Sequence, residues 1–202
     1  NEYELSETSD TVNLFEMGRD EFSVRDKKLN ISFGKLFDLP GHAKFQKARA
    51  IGRKLAGSIF NLHFIGEPLK IAGRALSLED SRKLPHRNIF RDRMTLELAS
   101  GQQMARLMHV PEIAAPKELT KHGITKTPLW YYCLQEAESH GGKLGPVGGT
   151  IVAGTLMRLL ALDPESLLCS AHDFKPWTAL GASKAGNFSL GHMLACVEAG
   201  RG

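Results

Sequence analysis

Apolar positions recur at helical spacing in several separated blocks, with polar or proline- and glycine-containing stretches between them, and each block predicts a helix. Over 48–62, Ile51, Leu55, Ile59 and Leu62 fall on one face of an amphipathic helix. Gly52 and Gly57 each weaken it by about 1 kcal/mol relative to alanine, so tertiary packing must hold it. A central helix is predicted from Pro85 past Arg93. Pro85 suits a first helical turn, Asp80 and Ser81 offer caps, and Ile89, Phe90, Met94, Leu96 and Leu98 spread around the axis as in a helix buried on most sides. Over 129–138, Trp130, Tyr131 and Leu134 give a core face, and Glu136, Glu138 and Ser139 a wet one. The stretch 147–162 is apolar nearly all round, with Arg158 as its main charge. It reads as a buried packing helix that Pro146 starts.

Shorter elements fill the gaps. Phe33, Leu36 and Phe37 suggest a brief helix that Leu39-Pro40-Gly41 ends; 104–108 is apolar until Pro111 and Pro116 break the chain; 118–121 adds a turn. A short helix opens at 163–168 and a last one covers 188–197. Residues 1–30 read as an irregular arm, and 172–186 as a polar, glycine-containing loop. The fold class is therefore mainly α and multi-helical.

Composition narrows the picture only a little. At 202 residues, 42% hydrophobic and 24% charged, the chain can build one core of ordinary size, as one domain or part of one. The net charge of +4 is carried by scattered lysines and arginines, without the aromatic-interleaved stripe of a nucleic-acid surface, so no nucleic-acid partner is expected. No apolar run reaches about 18 residues, so no membrane span is expected, and Asn1-Glu2-Tyr3-Glu4 is not a signal peptide. Localisation stays open. Cys133, Cys169 and Cys196 lack any Cys-x-x-Cys spacing and read as buried, reduced packing residues. The glycines of 141–150 miss the spacing of a phosphate loop and follow no strand; they suit close helix approach instead.

The candidate chemistry lies in the central helix. Asn88 and Arg91 are three residues apart on one face, with Arg87 four before Arg91. Arginine stays ionised and is costly to bury without an anion, so Arg91 needs a carboxylate or phosphate nearby. A structural bridge to an acidic side chain and an anionic ligand both satisfy that need. Spacing does not choose between them.

Leu84-Pro85-x-x-Asn88-x-x-Arg91-x-Arg93 resembles the proximal-side helix of the animal-type haem peroxidase superfamily. Ser100-Gly101-Gln102-Gln103-Met104-Ala105-Arg106 is similar to its bacterial branch. A second block, Thr127-Pro128-Leu129-Trp130-Tyr131-Tyr132 followed by Leu144 to Val152, resembles the next helix pair. The resemblance implies that residues 1–202 form the C-terminal half of a multi-helical haem peroxidase-like domain, with 1–45 as an arm and 46–202 as a helical core. It implies haem iron as cofactor and Leu84, Asn88 and Arg91 as cofactor-binding residues. Asn88 would accept the ring N–H of the histidine that ligates iron, and Arg91 would hold a haem propionate. The reaction it implies is reduction of hydrogen peroxide with oxidation of a small organic or halide donor.

The sequence departs from that pattern in two ways. Where the family has Gly-Leu-Pro after the helix, Glu97-Leu98-Ala99 stands here. Only Tyr3-Glu4-Leu5 matches the element of the axial histidine, which is expected upstream of Asn1; none of the eight histidines has its setting. No catalytic or metal-ligating residue is therefore expected in this chain. A companion chain or segment would supply the distal and proximal histidines, and a calcium site, if there is one, through that half. Two other readings stay open: a fatty-acid dioxygenase of the same superfamily, which would need a tyrosine near haem such as Tyr131 or Tyr132, and a haem-free helical scaffold or partner-binding module.

Overall fold

The computed structural model describes residues 31–39, 42, 44–170 and 189–200; the arm expected over 1–30 and the loop expected over 172–186 lie outside them. The described residues are mainly helical and divide into two compact units. One takes in Arg49–Pro164; the other has its described parts at 31–39, 42, 44–48, 165–170 and 189–200.

In the larger unit a two-residue hairpin, β1 (Lys70–Ile71) and β2 (Arg74–Ala75), pairs antiparallel with Lys70 opposite Ala75. Ala72 and Gly73 both have positive φ, as the tightest hairpin turns require. Helix α1 (Leu78–Arg82) follows. Its cap is Ser77, whose hydroxyl accepts the Asp80 N–H at 3.0 Å, while the expected caps Asp80 and Ser81 lie inside it. Helix α2 (Leu84–Phe90) carries Pro85 in its first turn and passes directly into a π-helical turn, Arg91–Thr95. Helix α3 (Gly101–Leu107) opens on a reciprocal cap: Ser100 accepts the Gln103 N–H, and the Gln103 side chain accepts the Ser100 N–H. Helices α4 (Lys117–Thr120), α5 (Leu129–Ser139) and α6 (Pro146–Leu162) complete the unit.

The core sits where α3, α5 and α6 meet. Ala105, Tyr132 and Val147 are fully buried there, with Met104, Leu129 and Ile151 packed against them. The Gln102 side chain, donating to Thr127 Oγ1 at 2.8 Å and accepting the Thr127 N–H at 2.9 Å, fixes the entry to α5 against α3.

Four helix expectations are corrected. The stretch 48–62 is not an amphipathic helix: it holds only a 3-10 turn, Gly57–Phe60, and the Ile51 N–H bonds the Gly142 carbonyl instead of a preceding turn. None of Ile51, Leu55, Ile59 and Leu62 is buried, so nothing offsets the two glycines. The central helix is not buried on most sides; between Leu84 and Thr95 only Pro85 and Asp92 are, and Phe90 is exposed. Glu136, read as a wet-face residue, is 1% exposed. Finally, α6 buries only Val147 and Gly148, and its 17 residues span about 26 Å at 1.5 Å each. It packs on α3 and α5 near its start and runs exposed from Val152, with Leu156, Met157, Leu159 and Leu162 facing solvent.

The smaller unit contains a 3-10 turn (Phe33–Lys35), α7 (Leu167–Ser170) and α8 (Leu190–Ala199). All three cysteines are free thiols; Cys133 and Cys196 are half-buried, but Cys169 is exposed and is not a packing residue. Among the described residues no helix is long and apolar enough to cross a membrane.

Candidate functional site

Asn88 and Arg91 do come together, on the wall of one cavity of about 370 Å³ in the larger unit. Leu84 does not reach it; that residue is half-buried one turn earlier. The cavity's walls are apolar: Leu96 and Leu98 after the π turn, Trp130 and Leu134 from α5, Ile151 and Val152 from α6. Leu96 and Leu98, which pattern reading assigned to a core, are exposed at 55% and 38% because they form this wall.

The π turn sets the polar side. The Leu96 N–H bonds the Arg91 carbonyl, five residues back, at 2.9 Å. Such widened turns are rare and often mark functional positions. Arg91 is exposed, and its Nη2 donates to Asn88 Oδ1 at 3.2 Å. No described acidic side chain pairs with it, so the structural-bridge alternative finds no partner among the described residues. Arg93 is turned away, its Nη1 donating to the Leu98 carbonyl at 3.2 Å.

Asp92 is the residue that pattern reading missed. It is 4% exposed and lines the cavity between the arginine and the α5 N-terminus. Its Oδ2 accepts the Trp130 N–H at 3.0 Å, and its carbonyl accepts the Leu98 N–H at 3.0 Å. Oδ1 is buried without a hydrogen-bond partner among the described residues. The available signal was an acid within a helix that looked apolar.

Cys133 reaches the same cavity from α5. Burial pushes its thiol up to about 11, and the charges of Glu136 and Asp92 add to the effect. It is a neutral thiol through the physiological range, and its alkylation by iodoacetamide is expected to stay slow below pH 9 and to reach half its limiting rate near pH 11. Mass mapping across a pH series checks this; a midpoint near 8.5, the free-cysteine value, would mean an open site.

Between Leu96 and Leu98, Glu97 holds φ +48°, in the left-handed region that favours glycine. Left-handed backbone costs a residue with a Cβ about 1–2 kcal/mol, partly offset by glycine's greater freedom when unfolded. Glu97→Gly is therefore expected to stabilise the chain by about 0.5–1 kcal/mol, read as a raised urea midpoint.

Neither tyrosine named for the dioxygenase reading lines the cavity. Tyr132 is in the core, where its hydroxyl accepts the Ile113 N–H at 3.0 Å, and Tyr131 is half-buried on α5. Among the described residues no cluster of three histidine, cysteine or acidic side chains could hold a metal ion. His86 sits 3.4 Å from Asp80, away from the cavity. No family model, no curated protein and no solved structure matches this chain.

Proposed function

We propose that the chain forms the proximal wall of a haem peroxidase-like site, completed by a companion chain or segment that carries the histidines. The observation that carries the reading is that Asn88 and Arg91, the two residues of the sequence motif, line one apolar cavity in which Arg91 has no described acidic partner.

The residues present suit the group. A haem offers a flat apolar ring with carboxylates at one edge; the cavity offers apolar walls with one cation at its rim. At about 370 Å³ it takes part of such a ring, the remainder lying against the completing segment. A haem held there would supply the redox chemistry for reduction of hydrogen peroxide to water at the expense of a two-electron donor. Arg91 binds and orients a carboxylate through charge-assisted hydrogen bonds. Asn88 steers the guanidinium through its Oδ1 and keeps a second lone pair on that atom for a ring N–H. The leucines of the turn, with Trp130, exclude water.

The test is a haemin titration of the chain, alone and with the upstream segment, followed by visible spectroscopy. A saturable Soret band that Arg91→Ala weakens by about tenfold in affinity is expected, the value of one charge-assisted pair. Absence of a band in the completed protein would leave the haem-free scaffold as the reading.

A further inference from the structure

We propose that the strap formed by residues 50–53 is an acid-released latch: the Glu138 carboxylate holds it on the end of α5 and lets it go on protonation. None of the residues involved lines the cavity, and the proposal does not rest on haem binding.

The geometry of the attachment carries it. The strap belongs to no helix or strand, so its hold on the larger unit comes from contacts far along the chain. The Arg53 N–H donates to Glu138 Oε1 at 2.8 Å, and Arg53 Nε donates to Oε2 at 2.8 Å. Four residues past Glu138, the Gly142 carbonyl accepts the Ile51 N–H at 2.7 Å, and Ala50 lies so close that a Cβ on Gly142 would overlap it. Two of these three bonds end on one carboxylate, and both are charge-assisted. Arg53 and Lys54 face that carboxylate from the strap. Glu118, from α4, stands 3.7 Å from Arg53 Nη1, and Tyr131 faces the same guanidinium from α5. Arginine keeps its charge in acid, so it is Glu138 that changes. The Arg53 backbone N–H, and then its guanidinium, hold the Glu138 carboxyl below its ordinary value. The stabilisation is therefore complete above the ordinary glutamate value and is lost as pH falls through the lowered one. Once protonated, the carboxyl has no charge for the guanidinium and a new O–H donor that Arg53, which is all donors, cannot meet.

Hydrogen exchange of the full chain between about pH 7 and about pH 3 tests it, read as protection factors so that the intrinsic pH dependence of exchange cancels. Protection of the Ile51 and Arg53 N–H groups is expected to fall by about fivefold as Glu138 takes up its proton, the upper value for a partly exposed ion pair. The Tyr132 N–H, bonded to the Pro128 carbonyl in the core, is expected to keep its protection over the same range. Glu138→Gln imitates the protonated side chain. It is expected to show the lowered strap protection already at neutral pH and to remove its pH dependence. Trypsin is then expected to cut after Arg53 or Lys54 about fivefold faster, because cleavage follows the population of the open strap. Strap protection that falls only in step with that of Tyr132 would mean global acid unfolding. Strap protection in E138Q equal to that of the unaltered chain would mean that the Gly142 contact holds the strap by itself. Either result would overturn the latch, and the pH series on the unaltered chain decides even if E138Q does not fold.

Discussion

Gly101→Ala is expected to cost the chain about 3 kcal/mol, the upper part of the range for overpacking a filled core. Gly101 is the first residue of α3 and is buried, and a Cβ placed on it would overlap the Tyr132 ring. That ring cannot swing aside cheaply. It is fully buried, and its hydroxyl is tied to the Ile113 N–H. The backbone cannot retreat either, because the Gly101 N–H bonds the Thr127 carbonyl at 3.0 Å. Small domains are stable by about 5–15 kcal/mol, so urea unfolding should show a large fall in midpoint. A loss below 1 kcal/mol would mean that α3 and α5 slide past each other more freely than their hydrogen bonds suggest.

Glu136→Ala is expected to be about as damaging, at about 3 kcal/mol, while Glu136→Gln should cost about 1 kcal/mol. The carboxylate accepts the Val147 N–H at 3.0 Å and the Gly148 N–H at 3.1 Å, both in the first turn of α6. The residue that would ordinarily cap this helix, Gly145, has no side chain to do so, and a Cβ there would strike Glu136. The cap therefore comes from α5, with its negative charge placed at the positive end of the helix dipole. Alanine leaves two buried donors unmet; glutamine keeps one acceptor oxygen. Unfolding curves for the two variants, with hydrogen exchange at Val147 and Gly148, test the order. Equal losses would mean that the charge matters more than the acceptors.

The sequence made some of this legible and hid the rest for physical reasons. Pro85 and Pro146 mark first turns because a missing N–H costs nothing there, and both helices begin within a residue of them. Helix α5 also begins where expected, at Leu129, and ends one residue later than expected, at Ser139. The i, i+3 spacing of Asn88 and Arg91 sufficed to put both on one wall, since a face is a local property of a helix. What failed depends on distant partners. Periodicity over 48–62 promised a helix, but an amphipathic face forms one only where another element covers it. Glu136 looked solvated because its partners lie eleven and twelve residues further on. Asp92 was passed over because acids in a helix are usually wet, and its partner Trp130 lies 38 residues away. The π turn that brings Leu96 to the cavity leaves no pattern a period of 3.6 could reveal.

The bare end of α6 bears on how the isolated chain behaves in a tube. Leu156, Met157, Leu159 and Leu162 form a sticky rod tip, and a net charge of +4 is all that keeps copies apart by long-range repulsion. At 0.1 M salt that repulsion fades beyond about 10 Å, while apolar attraction does not weaken. Colloidal stability should therefore decline as buffer salt rises, so that dilute, low-salt solutions keep the protein dispersed and concentrated, salty ones turn cloudy.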